Sequence, residues 1–202
     1  MPRGVAYLYT TASEEEIFIN IERIFRLNGI SLEYPDTNKV QLWDEEGEMI
    51  QIEKEELVKI LPKISDYLIQ FWWADKQEIS MKIHSEDHLS EVCLYLDGLE
   101  DLHLKDVLYS LVNMIFESNI GSKVQGFVVD REEQTIDYDW HLFFTDEKIL
   151  IDSLENSLDL EVYERKILSK SLEFTSEGFS KDVVFVAKRK EESDEFTICL
   201  LN

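Results

Sequence analysis

Three prolines and seven glycines in 202 residues leave the chain few places to turn sharply or run loose. Such scarcity argues against long structureless linkers. Cysteine is almost missing as well. Cys93 and Cys199 each sit in an apolar, strand-like run, so both read as reduced buried thiols rather than as a disulfide framework. No apolar stretch approaches the roughly 20 residues of a membrane span. The opening residues, Met1 to Glu16, lack the pattern of a secretion signal, because the apolar run ends at Tyr9 and acidic residues follow. These absences predict a soluble, cytoplasmic chain that contacts no membrane.

Reaction motifs are missing too. There is no glycine-rich phosphate loop and no dinucleotide fingerprint. No G-x-S-x-G nucleophile elbow occurs. The expectation is therefore a non-enzymatic protein with no cofactor, no catalytic set and no bound metal. Two clusters come nearest to an exception. His84-Ser-Glu-Asp-His88 has two His four apart, but they share a face only on a helix, and this segment reads as a strand end and loop. Asp97-Gly-Leu-Glu-Asp-Leu-His103 gathers three carboxylates and a His, an oxygen-rich set that divalent ions favour. The simpler account is an Asp-Gly turn followed by acidic residues at a helix start, where the dipole welcomes them. A metal-dependent enzyme using Asp97–His103 stands as an alternative function.

Positive charge is the third shortage. Lys+Arg number 20 against 43 Asp+Glu, giving a formal net charge of -23. The excess is spread, about -6 over residues 1–65, about -8 over 66–122 and about -9 over 123–202. It is thus a property of a folded surface and not of a tail. With 44% hydrophobic residues the chain can still build a core, so the charge does not signal disorder. A surface this acidic repels nucleic acid, whose binding rests on neutralising phosphates with Lys and Arg. It attracts a basic protein.

The patterning predicts an α+β fold of antiparallel β-meanders with helices packed on one face. It reads as one domain over 1–202, or as two similar small layers with a weakly marked boundary between 1–63 and 64–202. Val5–Tyr9 reads as a strand. Ser13-Glu-Glu-Glu16 is a capping box opening a helix over 13–28, which Gly29 stops. Lys39–Trp43 and Glu48–Ile52 form a hairpin around Asp44-Glu-Glu-Gly47. A short helix over 53–61 ends or kinks at Pro62. Tyr67–Trp73, Glu78–His84 and Glu91–Asp97 alternate with period two, and helix 101–118 carries a stripe that can cover their apolar face. Beyond it, Lys123–Asp130 and Thr135–Thr145 read as a hairpin around Arg131-Glu-Glu. Residues 146–157 read as a helix capped by Thr145, with Leu150, Leu154 and Leu158 as its stripe. Leu160–Leu168 is strand or helix. Val183–Ala187 and Phe196–Leu200 form a terminal hairpin.

Trp72 and Trp73 are adjacent, so in a strand they point to opposite faces. With Trp73 in the core, Trp72 and Tyr95 fall on the other face, either packed under further elements or open to a partner. Around that face the candidate contact residues are Asp44, Glu45, Glu46 and Glu48 in the first hairpin. A second set is Glu132, Glu133, Asp137 and Asp139. In size, acidity and lack of catalytic motifs the chain resembles bacterial immunity proteins, although no family residue can be carried over. The resemblance implies sequestration of a basic toxin, such as a nuclease, through protein–protein contact. An inhibitor that imitates nucleic acid is the other alternative.

Overall fold

The computed structural model describes residues 4–86, 88–135, 137–146, 149, 151–158, 160–169, 183–190 and 193–202. Among these residues, ten strands form one antiparallel sheet. They are β1 (Val5–Thr10), β2 (Val40–Trp43), β3 (Met49–Ile52), β4 (Leu68–Trp72), β5 (Glu78–Glu86), β6 (Leu89–Tyr95), β7 (Val124–Asp130), β8 (Val162–Ile167), β9 (Val184–Arg189) and β10 (Phe196–Leu201). Their spatial order is β3-β2-β4-β5-β6-β1-β7-β9-β10-β8. The fold is α+β, and strands from both sides of the segment at 62–66 share the one sheet.

Two helices cover one face, here the inner face. Helix α1 (Glu14–Leu27) begins with the expected capping box: the Ser13 hydroxyl accepts from the Glu16 N–H, and the Glu16 carboxylate accepts from the Ser13 N–H. Gly29, at φ +79°, supplies the left-handed exit that a side chain would resist. Ile17, Ile21, Ile24 and Phe25 of α1 and Leu104, Val107, Leu108 and Leu111 of α2 (Asp101–Phe116) join one buried cluster. From the sheet it receives Ile69, Phe71, Trp73, Ile79, Met81, Ile83, Val92, Leu94 and Leu96, the residues that the period-two pattern assigns to the core.

Three elements differ from expectation. The short helix over 53–61 is present but wound as a tighter 3-10 helix, Lys54–Lys59, and Pro62 lies at the start of a second one, Leu61–Asp66. A ring without an N–H fits there, since the first turn's N–H groups have no partner anyway. The described residues of Thr135–Thr145 form no strand, Ile136 lying outside the described residues. β7 pairs with β1 and β9 instead, and Trp140–Thr145 is helix α3. The cause is local. The Asp130 carboxylate gathers the Glu132, Gln134 and Thr135 N–H groups and the Thr135 hydroxyl, closing a tight loop where the hairpin would have run. Asp139 then caps α3 through the Leu142 N–H.

The third is residues 146–157. Thr145 ends α3 and does not cap a helix, since its hydroxyl donates back to His141 and Leu142 carbonyls. After it come a 3-10 turn at Ile151–Ser153 and helix α4 (Leu154–Leu158). Residues 147, 148 and 150, part of the expected helix, lie outside the described residues. Residues 162–167 are a strand, which settles the open choice there.

α3 and α4 pack on the outer face of the sheet. Trp140, Phe143, Phe144 and Leu154 cover Tyr9, Val128, Val184, Val186, Cys199 and Leu201. Lys188 of β9 fastens this layer, its ammonium donating to the Phe143, Asp146 and Ile149 carbonyls while lying 4.3 Å from the centre of the Phe143 ring. Cations suit the carbonyl end of a helix.

Candidate functional site

The outer face divides in two. Under β1, β7, β9 and β10 it is sealed by α3 and α4. From β3 to β5, neither buried cluster includes any outer-face side chain. Register sets what this open half presents. Trp43 pairs with Met49 and Leu68, Gln70 with Ser80, Trp72 with Glu78, and Lys82 with Cys93. Gln41 and Gln70 are buried here, while Met49, and Tyr95 on the adjoining β6, are 47% and 42% exposed.

Trp72 lies on this face but is not a free platform. It is 8% exposed. Ser31 exchanges backbone hydrogen bonds with it, and Tyr34 stands edge-on against its indole with ring centres 4.7 Å apart. Two polar atoms on the same strand, Trp72 Nε1 and Gln70 Oε1, are buried without a hydrogen-bond partner. Gln70 Nε2 donates to Glu78, whose carboxyl burial holds above its ordinary pKa.

The two acidic sets are not brought together. β2 and β7 run in opposite directions with four strands between them. The turn carrying Asp44, Glu45, Glu46 and Glu48 leaves the top of the sheet, and the one carrying Glu132, Glu133, Asp137 and Asp139 leaves the bottom. Five strand spacings, about 24 Å, separate the two along the sheet. The first set flanks Trp43 and Met49. The second shares an end with Tyr95, since Tyr95, Val5 and Asp130 stand in register. Asp44 is partly committed, accepting from the Glu46 and Glu48 N–H groups, and Asp139 is the α3 cap. The acidic and aromatic patterns of the sequence do not single out Trp43 and Met49. With Val40 and Leu42 inward, the alternation already puts Trp43 outward.

The two metal-like clusters resolve into separate contacts. His103 is buried, its Nε2 3.0 Å from Asp75 and its ring against Trp73, while Asp101 receives Arg131. Asp97 and Glu100 are exposed. His84 and His88 are exposed on the β5–β6 hairpin, and Asp87 between them lies outside the described residues. His88 lines an open cleft of about 760 Å³ with Glu14, Glu15 and Pro62, at the start of α1. Among the described residues, no three His, Cys, Asp or Glu side chains converge as metal ligands.

Both cysteines are free. Strand order sets Cys93 on β6 and Cys199 on β10 four strands apart, roughly 19 Å, far beyond disulfide reach. Burial, with Glu91 nearby, pushes the Cys93 thiol up to about 12, and burial raises the Tyr95 phenol to about 12. Neither ionises near neutrality, so this face offers apolar area and neutral hydrogen-bonding groups rather than a nucleophile. No described helix is long and apolar enough to cross a membrane.

Compared with known proteins, the chain matches no family model, no curated protein and no solved structure.

Proposed function

We infer that this chain is an acidic binding protein that captures a basic protein, in the manner of an immunity protein neutralising a cationic toxin. The observation that carries this reading is the open half of the outer face. The outer face is sealed under β1, β7, β9 and β10, yet Met49 on β3 and Tyr95 on β6 stay exposed, and Trp43 partly so, near the two acidic turns. Aromatic and thioether side chains supply contact energy once desolvated. The surrounding charge, far in excess of what solubility needs, speeds encounter with a cationic surface and disfavours nucleic acid.

The test is capture from the source cell on immobilised protein, at low and high ionic strength. The expected result is a cationic protein, retained at low salt and released faster as salt rises. Tyr95→Ala and Trp43→Ala should each weaken retention about tenfold or more, the loss typical of a buried aromatic contact. Retention indifferent to both salt and these substitutions would overturn the reading.

A further inference from the structure

We propose that the free edge of β3 takes up a β-strand of the cationic partner, extending the sheet by one strand. The proposal rests on the binding-protein reading above and names how the contact is made.

β3 is the end strand of the sheet. Its hydrogen-bond phase follows from the turn beside it. The Asp44 N–H donates to the Glu48 carbonyl, so that pair is a bonded one. Bonded and non-bonded pairs alternate along an antiparallel ladder. Leu42/Ile50 and Val40/Ile52 are therefore bonded across to β2, and Met49 and Gln51 turn their N–H and C=O groups outward. Among the described residues nothing receives them.

The two edges of this sheet are built differently. β8 carries Glu164, Arg165 and Lys166 in succession, the charged dressing that keeps edges from pairing. β3 reads Met-Ile-Gln-Ile, without charge, proline or bulge. Its protection lies at its ends. Asp44, Glu45, Glu46 and Glu48 precede it, and Glu53, Glu55 and Glu56 follow. Lys39 pairs with Glu53 and Lys59 with Glu56. Glu45, Glu46, Glu48 and Glu55 have no ion pair among the described residues. A second copy of the chain would bring the same carboxylates against these and be repelled. A strand with Lys or Arg on either side of a four-residue apolar centre fits instead, its flanking cations about 17 Å apart. Side chains of the added strand would also continue the outer face beside Met49 and Trp43. Main-chain bonds would give affinity and the flanking charges selectivity, as in other strand additions.

The probe is an eight-residue peptide with two Lys at each end of a Val-Thr-Val-Thr centre, blocked at both ends, against the full chain. Amide hydrogen exchange is read by NMR. In the free protein, the Met49 and Gln51 amides should exchange fast and those of Ile50 and Ile52 slowly. The peptide should slow Met49 and Gln51 at least tenfold. The same peptide N-methylated at every backbone amide keeps its charge but cannot pair, and should give no such protection. Nor should the same peptide with Glu in place of every Lys. Gln51→Pro removes an outward N–H without touching the ladder to β2, and should cut affinity at least tenfold with unchanged melting. Should that variant unfold, the methylated peptide on the native chain still decides.

Equal binding of the methylated peptide overturns the proposal. So does binding whose shifts gather around Tyr95 while Met49 and Gln51 stay fast-exchanging, an outcome that leaves the binding reading intact. Protection at Met49 and Gln51 that grows with protein concentration alone would give the edge to a second copy and overturn it too. If no cationic peptide binds and no basic protein is captured, the reading itself fails, and the edge proposal with it.

Discussion

Replacing Asp130 by Ala tests the loop that redirects the chain after β7. The carboxylate is 1% exposed and takes four hydrogen bonds, from three N–H groups and the Thr135 hydroxyl. A hydrogen bond to a charged acceptor contributes about 1.5–3 kcal/mol. The Glu132 and Gln134 N–H groups can recover water once the carboxylate is gone. The Thr135 N–H is buried and cannot. Losing its acceptor, and the anchor that orients the Thr135 hydroxyl toward Trp140 Nε1, puts the expected cost at about 3–5 kcal/mol. For a chain of this length that is a fall in Tm of roughly 10 °C. Asp130→Asn keeps one acceptor oxygen but sets an amide donor against a backbone donor, and should cost about 1–3 kcal/mol. Urea unfolding at pH 7 measures both, with tryptophan fluorescence reporting Trp140. A loss below about 1 kcal/mol for Asp130→Ala would refute the assignment of the loop to this carboxylate.

Gly126→Ala places a Cβ 2.1 Å from the Ala187 carbonyl oxygen and 2.3 Å from Phe144, so it should destabilise by about 1–3 kcal/mol or more, read by urea midpoint. Cys93 should react with a thiol-specific disulfide reagent at pH 8 about a thousandfold more slowly than an unshifted thiol, since its pKa near 12 leaves that much less thiolate; rapid labelling of folded protein would contradict the burial. Glu78 has its folded pKa raised by burial, so ionising it costs stability. That cost appears as pH rises from the unfolded pKa to the folded one and is complete above it. Glu78→Gln should therefore raise Tm at pH 7, with the gain vanishing in acid; a gain that persists below the unfolded pKa would point to another cause.

Much of the N-terminal half was legible because local signals agree there. The Ser13–Glu16 box, the Gly47 turn and the alternation from Tyr67 to Asp97 each name one structure, and packing follows them. The stretch from Tyr138 to Thr145 misleads because it satisfies two periods. Tyr138, Trp140, Leu142 and Phe144 alternate as in a strand, while Trp140, Phe143 and Phe144 share one side of a helix. The choice falls to Asp130 and Asp139, polar residues whose capping role depends on where the chain has already gone. Trp72 was ambiguous for a similar reason: Tyr34, nearly forty residues upstream, covers it. The sequence names the acidic turns, but only strand order reveals that they occupy opposite ends of the sheet.

The position of β1 has a kinetic consequence. Among the described residues, five strands lie to one side of it and four to the other, and the two groups meet nowhere else in the ladder. Val5 pairs with Tyr95 on one flank and Asp130 on the other. During synthesis β1 leaves the ribosome long before either neighbour exists, and both closures span long loops whose entropy must be lost before pairing returns anything. The β4–β5–β6 meander can form from local contacts alone, and β1 can dock on it as soon as β6 appears. Folding is then expected to proceed outward from this seam, with the C-terminal strands and the Lys188-fastened helix added last.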